Sequence, residues 1–281
     1  MPELDLASIK RESVGMIFDI LENGKPMTRS ELASATGLSL MTVGKAVDLL
    51  TDSKLAVQQK VQTGSAGRRS LSCMLNPKLC MLVYDFEKLS FSSVDILTNI
   101  KSKYSASREN IENVAAEAFF DAANGSELIG FGLILPDSSP EVAAREFSAL
   151  NSMRPDAAIP RTKAAALAAA DSDSICVIIN LADDLSLISG AVTENGNILG
   201  GLYSRTDFAR LKTPEAAISA AEALIAPDKI RLWTTPDAVG RLKARLPDST
   251  ASQPEILTDP DLPARGIAKL LISKRLDSIC R

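Results

Sequence analysis

Histidine is absent from all 281 residues. That absence excludes His-based catalytic triads, HExxH metal sites and Cys/His zinc sites together. Cysteine is sparse, with Cys73, Cys80, Cys176 and Cys280 standing apart and no CxxC pair among them; they read as free thiols, and the spacing argues against a zinc site or a disulfide frame. No stretch reaches the roughly 18 to 20 apolar residues that span a bilayer, and the opening MPELDLASIK has neither a basic nor an apolar leader segment. The sequence therefore predicts a cytoplasmic protein with no membrane partner. A surplus of positive charge is lacking too: 31 Lys and Arg face 35 Asp and Glu, a net charge of −4. A protein that coats nucleic acid over its whole surface is excluded, so any such contact must be a local basic patch on an acidic body.

What is present begins with helical periodicity. Ile9, Val14, Ile17, Phe18 and Leu21 recur at helix spacing and stop at Asn23-Gly24. Thr28-Arg29-Ser30-Glu31 reads as a capping box opening a second helix, with Leu32 and Ala35 facing inward and a stop at Thr36-Gly37. Ser39 then caps a third helix in which Val43, Val47 and Leu50 share one face while Met41, Thr42, Lys45 and Asp48 lie elsewhere. Gly44 costs such a helix about 1 kcal/mol relative to Ala, which points to a close approach by a phosphate or by another helix. Beyond Leu55 the residues alternate on either side of Gly64-Ser65-Ala66-Gly67, a two-stranded hairpin with Arg68 and Arg69 beside its tip. Between residues 42 and 78 stand six Lys or Arg against two Asp. Three helices and a basic hairpin make a winged helix-turn-helix over residues 1–77, with Ser39, Thr42, Lys45, Gly67, Arg68 and Arg69 as the DNA-binding candidates: Thr42 and Lys45 toward the major groove, the arginines toward the backbone or minor groove. The alternative is a core helix beside a solvated hairpin.

The segment "SELASATGLSLMTVGKAVDLL", followed by "GSAGRRSLSCMLNP", resembles the N-terminal region of the ROK family of repressors and sugar kinases. The resemblance implies a bilobal actin-like, sugar-kinase-like α/β domain over residues 78–281, with a lobe boundary near 158. Collinear with that family, "ELIGFGLILPD" is similar to its "IGIGVAVPG" strand, retaining Gly130, Gly132 and Pro136, and "AAALAAA" is similar to one of its helices. Two strands around Glu87-Lys88, strands in "SICVIINLA" and "LSLISGAVTENGNILGG" with a tight Asn195-Gly196 turn, a helix in "TPEAAISAAEALIA", a strand in "KIRLWTT" and a closing helix from about Pro263 complete two α/β halves.

The chemistry of the kinases is missing. Their first phosphate turn, Asp-x-Gly-Gly-Thr, stands here as Asp85-Phe86-Glu87-Lys88-Leu89, and the second, Gly-Thr-Gly-x-Gly, as Ala182-Asp183-Asp184-Leu185-Ser186. Carboxylates in those turns repel a triphosphate. The position of the catalytic aspartate falls on Arg161, which cannot act as a base. The family's sugar clamp falls near Asp207-Phe208-Ala209-Arg210-Leu211 without its glutamate and histidine, and Thr234-Thr235-Pro236 replace the adenosine-side glycines. The sequence thus predicts no enzyme, no cofactor and no metal. It predicts a regulator, a repressor by resemblance, binding a double-stranded DNA operator as a homodimer. Gly132, Arg161, Asp183 and Asp184 outline a candidate cleft for a small-molecule effector. A protein-interaction scaffold whose winged helix binds no DNA is the alternative.

Overall fold

The computed structural model describes residues 6–61, 70–150, 154–201, 213–246 and 254–281. The first of these segments holds three helices, α1 (Leu6–Leu21), α2 (Arg29–Thr36) and α3 (Leu40–Asp52), with a two-residue strand β1 (Met27–Thr28) between α1 and α2. The hairpin strands β2 (Ala56–Val61) and β3 (Ser70–Leu75) complete a three-stranded sheet in the order β1-β3-β2. Local chemistry sets the helix ends. The Thr28 hydroxyl and the Glu31 carboxylate form the expected capping box, Gly37 turns the chain out of α2 at φ 72°, a left-handed value that favours glycine, and Ser39 caps α3. Ala35, expected to face inward, is exposed; α2 is only eight residues long and buries Leu32 alone. The hairpin tip with Gly67, Arg68 and Arg69 lies outside the described residues.

Two five-stranded sheets follow. The first comprises β4 (Leu79–Asp85), β5 (Ser90–Asp95), β6 (Ile100–Ser105), β7 (Glu127–Leu135) and β8 (Ala157–Pro160) in the order β6-β5-β4-β7-β8. The second comprises β9 (Ile175–Leu181), β10 (Leu187–Glu194), β11 (Asn197–Gly201), β12 (Lys229–Trp233) and β13 (Glu255–Leu257) in the order β11-β10-β9-β12-β13. Each repeats one plan. The first three strands meander antiparallel and the last two join parallel to the first. Tight Asn195-Gly196 geometry, with φ of 48° and 76°, joins β10 to β11 as the sequence predicts.

The period-two alternation of strands sorts residues into layers. On β4, Leu82 and Tyr84 face α4 (Ile111–Ala123) and α5 (Pro140–Leu150), whereas Leu79, Met81 and Val83 face the closing helix α9 (Leu262–Cys280). On β9, Val177, Ile179 and Leu181 face α7 (Pro214–Ile225) and α8 (Val239–Arg245), and Ile178 faces α6 (Arg161–Ala169). α6 and α9 therefore lie back to back between the sheets. Glycine makes this possible: a Cβ on Gly266 would sit 1.6 Å from the Ala164 carbonyl oxygen of α6.

α9 also reaches the N-terminal helices. Val14, Ile17, Phe18 and Leu21 of α1 share one continuous core with Ile267, Leu271, Ile272 and Leu276 of α9. Polar ties flank that seam: Arg11 pairs with Asp277 at 2.5 Å, and Lys10 Nζ donates to the Ile279 carbonyl at 3.1 Å. All four cysteines are buried free thiols, and among the described residues no helix is long and apolar enough to cross a membrane.

In an open helix Gly→Ala stabilises by about 1 kcal/mol. Gly266→Ala will instead destabilise by about 3 kcal/mol or more, because backbone atoms of α6 must retreat. Urea denaturation measures the sign, and unchanged stability would contradict the close contact.

Candidate functional site

The exposed side of α3 is the first candidate surface. Val43, Ala46, Val47 and Leu50 fill the core on one face. Lys45 projects into solvent on the other, and among the described residues it has no ion-pair partner. Ser39 and Thr42 are less free than the sequence suggests. The Ser39 hydroxyl accepts from the Thr42 amide at 3.1 Å and shares a hydrogen bond with the Thr42 hydroxyl at 2.9 Å. Arg29 of α2 pairs with Asp48 at 2.5 Å, and its guanidinium covers Gly44, where a Cβ would lie 3.4 Å from Nη1. That guanidinium stands at ordinary van der Waals distance, and among the described residues no other atom from outside its own helix would lie within 4 Å of a Cβ on Gly44. Two large apolar residues, Leu40 at 60% and Met41 at 73% exposure, stand at the front of the helix.

The second candidate is the cleft between the sheets, a cavity of about 390 Å³ at the C-terminal ends of β4 and β12. Its lining includes Glu87, Lys88, Asp137, Arg161, Asp183 and Trp233. Arg161, the first residue of α6, is not offered to solvent. Its Nη1 donates to both carboxylate oxygens of Asp85 at 2.6 and 2.7 Å, each side chain being 11% exposed. Its Nε lies 3.5 Å from Glu87, and its guanidinium carbon stands 5.8 Å from the centre of the Trp233 ring. Asp85 closes the adjoining turn as well, since its Oδ1 accepts from the Glu87 and Lys88 amides at 3.2 Å each. Burial pushes the Glu87 carboxyl up, with Arg161 pulling the other way; burial and then Arg161 push the Lys88 ammonium down.

A second polar knot lies beside the first. Asp137 accepts from the Thr162 amide at 3.0 Å, from its hydroxyl at 2.6 Å and from the Ser189 hydroxyl at 3.2 Å, while Asn180 donates to Thr162 Oγ1 at 2.9 Å. Asp183 reaches the cavity with its carboxylate taken by the Thr235 hydroxyl at 2.6 Å. Asp184 does not line it: exposed, it caps its own turn through the Ser186 amide at 2.9 Å, and hydrogen bonding from the Ser186 hydroxyl and then from that amide holds its carboxyl below the usual range. Gly132, expected at the cleft, is instead packed beneath α9, where a Cβ would meet Ile267 at 2.9 Å. Of the four cleft candidates, then, Arg161 and Asp183 line the cavity and Gly132 and Asp184 do not. Asp137, Thr162, Ser189 and Trp233 had no place in the sequence reading; the gain of an arginine opposite an aspartate was the one available signal.

No family model matches the chain and no curated protein matches it. Among solved structures, a ROK family transcriptional regulator, a homologue of the E. coli MLC protein, aligns with a TM-score of 0.62 over 97% of this chain and 98% of its own, at 14% identity. At that identity the likeness is one of fold. An inorganic polyphosphate/ATP-glucomannokinase from Arthrobacter sp. strain KM aligns at a TM-score of 0.46 and 12% identity, covering 70% of this chain and 99% of that one. A ROK family protein from Streptococcus pneumoniae TIGR4, in complex with sucrose, aligns at 0.42 and 12%, covering 70% and 98%.

Arg161→Met will strand a buried carboxylate and cost about 3–5 kcal/mol. Adding Asp85→Asn, which keeps an oxygen for the turn amides, will recover most of that loss. A double-mutant cycle by urea denaturation checks the coupling, and strictly additive losses would show that the two side chains do not depend on each other.

Proposed function

We propose that the chain is a DNA-binding transcription regulator, acting as a repressor. In this reading the three helices and the β2–β3 hairpin form a winged helix, and the two-sheet body has lost phosphotransfer and serves dimerisation and effector sensing. The observation that carries it is α3: one face is built into the core and the other presents Lys45 to solvent, in a chain whose fold follows a ROK transcriptional regulator along nearly its whole length.

Loss of phosphotransfer is supported by the residues of the cleft. A nucleoside triphosphate needs bare amides on a turn and a cation to offset its charge. The two amides after Asp85 are already bound to its carboxylate, and Glu87, Asp137 and Asp183 add negative charge around the cavity. By the sequence resemblance Arg161 falls where those kinases carry their base, and it cannot accept a proton. These residues do not fit a magnesium triphosphate.

A small effector is better served. Thr234 lines the cavity, and its Oγ1, closed off from solvent, has no hydrogen-bond partner among the described residues, so a ligand would reach it only by shifting that side chain. A twofold dimer would set two α3 helices about 34 Å apart on successive major grooves. An effector would act by favouring one arrangement of those helices over another.

Binding of the full chain to duplex DNA from upstream of its own gene, followed across a salt series, tests the reading. The expected log-log slope is steeply negative, and Lys45→Ala will weaken binding and make the slope shallower by about one. A folded protein that binds no duplex at low salt would defeat it.

A further inference from the structure

The front of α3 is apolar where a DNA-contacting surface is usually polar. Among the described residues Met41 is the most exposed of the large apolar side chains, and Leu40 adjoins it. Neither is needed to fold the helix, because Val43, Ala46, Val47 and Leu50 already supply its buried face. The polar groups nearby are occupied: Ser39 and Thr42 bond each other, and Arg29 and Asp48 are paired. What remains for a partner at this end of α3 is a thioether, a branched alkyl group and, one turn on from Met41 on the same face, the Lys45 ammonium.

A cation beside an apolar tip complements a particular surface. In the major groove of B-form DNA the phosphates are anionic and the base edges carry one apolar group, the C5 methyl of thymine. Residues at the N-terminal end of a groove-inserted helix are those that reach base edges. Methionine suits such a contact, being unbranched, polarizable and able to settle against a small methyl through three rotatable bonds. Lys45 would meet a flanking phosphate, fixing register without reading sequence.

We infer that Met41, backed by Leu40, is a sequence-reading residue that packs on a thymine methyl, so that each operator half-site carries a thymine opposite the start of α3. The inference rests on the regulator reading above and adds to it the chemistry of the recognised base.

The test uses the full chain and duplexes enriched by it from a random-sequence pool. Each thymine of an enriched duplex is replaced in turn by deoxyuridine, which removes the methyl and leaves every hydrogen-bonding edge intact. Wild type is expected to lose about fourfold in affinity at one or two thymines per half-site, the effect of one buried methyl-sized group. Met41→Ala, a surface change that leaves the core intact, is expected to bind thymine and deoxyuridine duplexes equally. The inference fails if wild type binds enriched duplexes with no sensitivity to deoxyuridine, or if Met41→Ala is as sensitive as wild type. It also fails if Met41→Ala leaves DNA affinity unchanged and alters self-association, which would make the patch a contact between protein surfaces. Enrichment of no duplex at all would instead defeat the regulator reading itself.

Discussion

Contact between α6 and α9 at Gly266 sets the spacing of everything else in the body. With no side chain there, the Ala164 carbonyl can lie where a methyl would stand, and two helices rich in small residues occupy the room between the sheets. α9 then rests on β7 through Gly130 and Gly132, whose missing side chains receive Leu271 and Ile267. From that seat the same helix extends to α1, so that the core under the N-terminal helices is continuous with the core of the first sheet. The last element of the chain thereby fixes the position of the first.

In the cleft the charged side chains are turned upon each other. An aspartate at the end of β4 and an arginine at the start of α6 satisfy one another in a nearly closed setting, with Trp233 beneath the guanidinium. Ion pairs of this kind contribute little net stability compared with apolar packing, and their broken halves are costly. Their consequence here is geometric. They join the first sheet to α6, while Lys88 donates to the Pro260 carbonyl at 2.8 Å and Lys103 pairs with Asp261 at 2.7 Å. The space left, about 390 Å³, is lined by Ile188 and Trp233 together with carboxylates that are already engaged.

Legibility in the sequence followed the range of the interactions. The caps at Thr28 and Ser39 and the turns at Gly37 and Asn195-Gly196 depend on neighbours within four residues, and all could be read. Strands β4, β7 and β9 were legible because burial on both faces demands near-continuous apolar runs. Two of the edge strands, β6 and β13, were not. β6 alternates half-buried and exposed residues in "IKSKYS" with few strong apolar positions, and β13 is three residues long, held by its pairing with β12. The cleft was half legible. The residues standing at the expected phosphate turns could be read one by one, but the pairing of Asp85 with Arg161 joins positions 76 apart, and the filling of Gly132 depends on a helix more than a hundred residues later. Ala35 was misplaced because its spacing of three from the buried Leu32 puts it on the same side of the helix, whereas in the last turn of α2 that side is exposed.

α1 packs on both α3 and α9, so α3 is mounted on the body through one intervening helix; under the proposed function that mounting would be the route from cleft to DNA. Without it the N-terminal helices would sample orientations independently of the two sheets, and the proposed coupling would have no element to act through. Native-state hydrogen exchange reads this directly. The account predicts that the amides of Ile17 and Phe18 in α1 open with the same free energy and denaturant dependence as those of Ile267 and Leu271 in α9, as one cooperative unit. Exchange of the α1 amides through a separate, lower-energy opening that leaves α9 protected would contradict it.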